Sequence, residues 1–393
     1  MNTRQVVFGT KGLRSFGDGM MSVALAQYAD AIGFSGFEAG LVATSALVGT
    51  SLTTWLVGQY VERIGRRRLL IWAAFLAIAT GLAYAASSSL AILLGVAFIG
   101  TVNPTSGDVS SFLPIEQAIL AQESAARNRV AMFARFSVVG SLAAALGALA
   151  SGSTVLLAHL PGVGTLGAIR LLFVLYSVLG VATLWLTVKL TPAAELVKSE
   201  RPTGLGPSRR KVYTLSALFA ADAFAGALVV QSIIALYLLR KFELDPATTG
   251  AVFFGTGVLG AVSFMVSSRL SMRFGLVNTM VFTHLPSNAL LVGVAFAPNA
   301  ATAIAFLMAR SMLSQMDVPP RTALIVSMVE PEERAATAAV TNLSRSIASA
   351  GAPSIGGALL SSSFGGLPFL VCGGLKSAYD VALWVLFRKV EVK

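Results

Sequence analysis

With 393 residues, 55% of them hydrophobic and only 12% charged, and a mean hydropathy of +0.77, the chain reads as a polytopic membrane protein; soluble domains carry roughly 25% charged residues. Its net charge of +11 is not gathered on one face or basic helix but sits in gaps between apolar segments, which argues against nucleic acid as a partner. A single cysteine, Cys372, excludes an internal disulfide framework, and with two histidines it cannot build the usual zinc or iron-sulfur sites; no Gly-x-x-x-x-Gly-Lys-Ser/Thr loop is present, so neither a cofactor nor direct ATP drive is expected.

Taking about 20 apolar residues as one crossing, the spans fall near 13–33, 37–59, 68–87, 89–115, 130–152, 169–189, 213–238, 247–268, 276–296, 299–318, 335–361 and 367–388. The basic segment Met1 to Arg14 precedes the first span, which lacks a clear cleavage site and is read as an uncleaved helix. The longest polar gap, Leu190 to Lys211, contains Pro192, Pro202, Gly204, Gly206 and Pro207, and divides the chain into an N-terminal six-helix half (1–189), a cytoplasmic linker (190–212) and a C-terminal six-helix half (213–393). With the N-terminus cytoplasmic, 22 of the 29 lysines and arginines lie on the cytoplasmic side, Arg170, Arg240 and Lys241 lie outside, and Arg135, Arg310, Arg345 and Lys376 fall within spans. The positive-inside rule therefore places both termini in the cytoplasm.

The halves repeat. Asp18 and Gln27 recur as Asp222 and Gln231 at an offset of 204; Gly58, Arg63 and Gly65 align with Ser268, Arg273 and Gly275; Pro114 and Arg129 align with Pro319 and Arg334. Between spans two and three, Gly58-Gln59-Tyr60-Val61-Glu62-Arg63-Ile64-Gly65-Arg66-Arg67-Arg68 is the densest charge cluster in the chain, too costly to place at hydrocarbon depth. It resembles the loop of the major facilitator superfamily, a family of secondary transporters, with the form Gly-x-x-x-Asp-Arg-x-Gly-Arg-Arg; Gly58, Arg63, Gly65, Arg66 and Arg67 match, and Glu62 stands in place of Asp. The stretches Thr105 to Ala118, Thr279 to Asn288 and Met316 to Arg334 look like uncharacterised prokaryotic permeases of that superfamily. The resemblance implies an all-α membrane protein of twelve transmembrane helices in two pseudo-symmetric halves, in which helices 1, 4, 7 and 10 line a central cavity. It also implies a cytoplasmic gating motif of Gly58, Glu62, Arg63, Gly65, Arg66 and Arg67, with Glu116 expected to pair with an arginine of 63–68 or with Arg127 and Arg129.

Charges at membrane depth need a partner, a wet cavity or a ligand, and so mark function by default. Asp18, Asp108, Asp222, Arg310 and Asp317 fall on the four cavity helices that the resemblance implies, and Arg345 on span eleven. Asp18 and Asp222 are expected to face each other and to couple protons, with fixed ion pairs as the structural alternative. Arg310, seven residues before Asp317, could neutralise Asp222 or Asp108, grip a substrate anion, or form a structural salt bridge between the halves. Lys376 and Asp380, four apart, are expected to satisfy each other, and His284 to make a structural hydrogen bond or relay a proton. Small residues at Gly140, Ala144, Gly147 and Gly152 and at Gly351, Pro353, Gly356 and Gly357 suit close helix approach.

These features predict a monomeric secondary transporter in the plasma (inner) membrane, working by alternating access. Its partners are a small-molecule substrate, protons and the lipid bilayer. Four acids against one arginine on the cavity helices suit proton-coupled efflux of a cationic or amphipathic drug-like compound, an antiporter. The alternative is an organic-anion or metabolite transporter using Arg310 and Arg345. A membrane-embedded enzyme would need a catalytic motif, and a transporter-like sensor a sizeable soluble domain; neither is present in the sequence.

Overall fold

A computed structural model describes residues 2–105, 113–122, 129–190, 195, 206, 208–330 and 333–388. Among them every regular element is a helix: α1 (Thr3–Ala31), α2 (Gly36–Ile64), α3 (Arg66–Ala86), α4 (Leu90–Ile99), α5 (Leu113–Gln122), α6 (Arg129–Ala150), α7 (Thr154–Leu157), α8 (Gly164–Thr187), α9 (Arg209–Ala227), α10 (Gln231–Phe242), α11 (Pro246–Phe274), α12 (Leu276–Ala295), α13 (Ala300–Ser314), α14 (Val318–Ser327), α15 (Arg334–Ala350), α16 (Ala352–Leu360) and α17 (Leu367–Phe387). Each predicted span maps onto one helix or a broken pair: span four onto α4 and α5, span seven onto α9 and α10, span ten onto α13 and α14, span eleven onto α15 and α16. Seven segments among the described residues are long and apolar enough to cross a membrane on their own, and α4 is a shorter apolar helix. α1 starts about ten residues before its apolar core because Asn2 and Gln5 cap each other's backbone amides.

The helices pack into two compact units, residues Met1–Ser199 with Gln231–Phe254, and Glu200–Val230 with Gly255–Lys393. The second portion of span seven and the start of α11 thus pack with the first unit, whereas the predicted division falls at 190–212. In the first unit α1 packs on α6 and α3 on α8; in the second, α9 packs on α15 and α12 on α17. Spans one–five and three–six of the first unit thus recur as seven–eleven and nine–twelve in the second. The small residues permit part of this: a Cβ on Gly147 would overlap the Phe16 backbone of α1, and one on Gly356 the Leu228 backbone at the end of α9. Large apolar side chains such as Trp72, Leu156 and Met272 stay exposed, as lipid-facing residues do.

Carboxylates secure the polar ends. Asp245 precedes α11 and accepts the amides of Ala247 and Thr248 at 2.8 and 3.0 Å and the Thr248 hydroxyl at 2.6 Å. Those bonds, the hydroxyl's first, hold its carboxyl below the usual aspartate range. Glu333 immediately precedes α15 and accepts from Gly206 of the polar gap. Hydrogen bonds from the Ser208 side chain and from the Gly206 and Ser208 backbone hold its carboxyl below the usual glutamate range.

Replacing Asp245 with Ala should lower the unfolding free energy of the detergent-purified protein by about 1 kcal/mol, read as a fall in thermal midpoint. For Glu333, a depressed folded-state value means that its contribution is present above the unfolded glutamate value of about 4.3 and lost as pH falls through the folded value. The Glu333→Gln variant should therefore lose less thermal stability than the wild type on acidification from about pH 6 to below pH 4.

Candidate functional site

The second unit gathers its charges around one carboxylate. Asp222 sits on α9 in the otherwise apolar run Phe219-Ala220-Ala221-Asp222-Ala223-Phe224 and is buried. Its Oδ1 accepts from Lys376 Nζ of α17 at 2.5 Å. Its Oδ2 lies 3.4 Å from Arg321 NH1 of α14 and 3.5 Å from Arg345 NH1 of α15. Gly226, one turn further along α9, leaves the space that the lysine occupies: a Cβ there would meet Lys376 Cε at 3.3 Å. Arg321 is shared, since its NH1 also lies 3.3 Å from Asp317 Oδ2, and its guanidinium stands 5.9 Å from the Phe219 ring centroid.

Local sequence explains the position of Arg321. Span ten breaks after Ser314, the Met316 carbonyl is taken by the Ser267 hydroxyl at 2.5 Å, and Pro319 and Pro320 start α14 instead of ending α13. Arg321, counted in sequence with the cytoplasmic charges, is therefore one turn into a helix and faces Asp222. The expectation that Arg310 neutralises Asp222 is corrected by this break: Arg321 does so, while Arg310 Nε on α13 is buried without a hydrogen-bond partner among the described residues. Arg345 pairs with Asp222.

Lys376 and Asp380 do not satisfy each other. Tertiary neighbours offer shorter bonds: Lys376 goes to Asp222, and Asp380 Oδ1 lies 3.0 Å from His284 Nδ1 while its Oδ2 accepts from Asn288 Nδ2 at 2.8 Å. His284 thus makes the hydrogen bond of its structural reading.

In the first unit Asp18 on α1 lines a cavity of about 40 Å³ with Arg14, Ala73, Thr101, Tyr176 and Thr183. The Thr101 and Tyr176 hydroxyls are 2.9 Å apart. Such a volume accommodates water. Gln27 points elsewhere, to the Ser151 carbonyl and the Thr154 hydroxyl, and Gln231 Nε2 donates to Ser22 Oγ at 3.0 Å. Asp108 lies outside the described residues.

The arginine turn is held by local acceptors. Gly65 takes φ 93°, a conformation that favours glycine, and leaves the first amides of α3 without an intrahelical acceptor. Glu195, a residue of the polar gap, fills both: its Oε2 accepts from Arg66 N at 2.8 Å and its Oε1 from Arg67 N at 3.2 Å. An anion at a helix N-terminus also complements the helix dipole. Arg66 NH1 donates to Gln122 Oε1 at 2.8 Å and Arg67 NH2 to the Val188 carbonyl at 2.6 Å. Glu116, expected to pair with this cluster or with Arg127 and Arg129, lies 2.8 Å from Arg14 NH1, because α1 brings Arg14 beside α5. Arg127 lies outside the described residues, as do the side chains of Arg129 and Glu62; Gly58 and Arg63 are exposed.

Removing one partner of a buried pair leaves a charge uncompensated. Lys376→Met should therefore destabilise the protein by about 3 kcal/mol. Adding Asp222→Asn should restore part of that loss, giving a coupling energy above about 0.5 kcal/mol in a double-mutant cycle of unfolding midpoints.

The sequence model described as Major Facilitator Superfamily matches residues 7–316. An uncharacterized membrane protein of Saccharomyces cerevisiae is 24% identical over 416 residues, covering 97% of this chain and 93% of its own length. Among solved structures, the nucleoside transporter NupG superposes with a TM-score of 0.74 at 13% identity over 100% of both chains. A D-xylose-proton symporter gives 0.74 at 13% over 97% of each chain, and the human organic anion transporter MFSD10 gives 0.64 at 16% over 97% of this chain and 98% of its own. At such identities these structures share the fold alone; the family match spans most of the sequence, and with the paired helix packing it establishes that this chain belongs to the Major Facilitator Superfamily.

Proposed function

We propose that the protein is a secondary active transporter of a small organic solute, working by alternating access in the plasma (inner) membrane with both termini cytoplasmic. The observation that carries this reading is the ionic cluster at Asp222, in which α9, α14, α15 and α17 each contribute a charge. Several cations sharing one carboxylate can exchange partners without leaving a buried charge bare, which suits a site that must switch between two arrangements. The names of the structural neighbours, transporters of nucleosides, a sugar, organic anions and metals, support transport of a small solute without selecting its class.

Proton coupling belongs to Asp18 in this reading. Asp18 lines a cavity with room for water, a route by which a proton can reach it. The acid-rich count that suited a cationic drug-like cargo does not describe the surroundings of Asp222. The protein acts as a monomer and needs no cofactor.

The test is proton and solute flux in proteoliposomes loaded with a pH-sensitive dye and challenged with a solute library. Some solutes should move protons in the wild type, the sign of the pH change giving the direction, and Asp18→Asn should abolish proton movement while keeping solute exchange. Wild-type solute flux that ignores an imposed pH gradient would remove the coupling, and no solute-dependent flux from folded protein would remove the transport reading.

A further inference from the structure

We infer that the second unit holds the headgroup of an anionic phospholipid at the turn between α11 and α12, whatever solute the protein carries. Three arginines stand at this turn. Arg269 and Arg273, four apart near the end of α11, share one face of the helix, where like charges repel. Arg388 follows α17, and a chain of contacts ties it to the turn. Its guanidinium lies 4.2 Å from the Trp384 ring centroid, Trp384 Nε1 donates to Asn278 Oδ1 at 3.2 Å, and Asn278 Nδ2 donates to the Phe274 carbonyl at 3.2 Å. Arg273 in turn lies 5.3 Å from the Phe274 ring centroid. All three arginines are exposed, and none makes a side-chain hydrogen bond or ion pair among the described residues. No aspartate or glutamate stands between Asp245 and Asp317, and Asp380 of α17 is buried against His284 and Asn288.

The first unit shows the equivalent turn with its anion in place. Gly65 takes φ 93° and Gly275 φ 83°, and α3 and α12 each start at the next residue. At Gly65 the Glu195 carboxylate lies 3.1 Å from where a Cβ would stand and accepts the first amides of α3. At Gly275 the same space is open and no side chain caps α12 among the described residues. The neighbours of the arginines select the source of the anion. Met272 is 82% exposed, Phe274 53% and Phe282 59%, and the Phe282 ring meets Trp384 with centroids 6.4 Å apart. Tryptophan and arginine at a helix end, flanked by bare apolar side chains, are the composition of the boundary between hydrocarbon and headgroups. A soluble anion would leave those side chains in water. A phospholipid covers them with its acyl chains while its phosphate accepts from arginine. A zwitterionic headgroup brings a cation of its own, so the three unpaired arginines favour a lipid with net negative charge.

The experiment uses the full chain in bilayers, with Trp55→Phe, Trp72→Phe and Trp185→Phe leaving Trp384 as the fluorescent reporter. Brominated phosphatidylglycerol should quench Trp384 with a binding constant at least about fivefold that of brominated phosphatidylcholine. In the Arg273→Gln/Arg388→Gln double variant, checked for native circular dichroism and monodisperse elution, that ratio should fall to about one. If the double variant fails those checks, each single variant should at least halve the ratio. Equal quenching by the two lipids in the parent protein overturns the proposal, as does a ratio that the glutamine variants leave unchanged. A preference that excess glycerol 3-phosphate abolishes overturns it as well, by assigning the site to a soluble phosphate.

Discussion

A carboxylate in a membrane helix must be compensated from within the protein, and in the second unit Asp222 imposes that requirement on four segments at once. Lys376 reaches it from α17, Arg321 from α14 and Arg345 from α15, so one buried charge on α9 fixes how those helices face one another. The rest of the arrangement follows. Gly226 is small where the lysine passes, Phe219 supplies a ring beside Arg321, and Asp317 shares the arginine that would otherwise bring excess charge to Asp222. Buried ion networks of this kind contribute little net stability, because desolvation offsets attraction. What the network supplies is a choice of cations for one buried carboxylate.

At the polar ends the same chemistry works on backbone amides. Glu195 takes the first two amides of α3 in the first unit, and Glu333 takes those of Gly206 and Ser208 in the second. Each unit thereby secures one end of the polar gap with a carboxylate of its own. The arginines of the turn serve this local framework, through Gln122 and Val188, and Glu116 is engaged by Arg14.

Much of this was readable in the chain because apolar length and repeat are one-dimensional properties. The spans come from apolar length alone, and each falls on one helix or a broken pair. What spacing could not give was where a span breaks. Span ten, read from apolar length, ends near 318 and leaves Arg321 beyond it, although its position four residues after Asp317 is the available signal. Lys376 and Asp380 carry that same i, i+4 signal, and there it misleads, since contacts across 154 and 96 residues prevail. Glu195 had no signal: it is one acid in a polar, proline-rich stretch, and only the folded turn at Gly65 supplies the amides it binds.

The distance along the chain between Asp222 and Lys376 has a consequence for biogenesis. The aspartate enters the bilayer with the seventh span and its closest cation with the twelfth, 154 residues later. At about 5–20 residues per second that interval is roughly 8–30 s, during which α9 must stay in contact with water, translocon or lipid headgroups. Arg321 and Arg345 emerge in between and can take the carboxylate in turn. The second half is thus assembled as a relay of partners, and only the last helix to be made completes it.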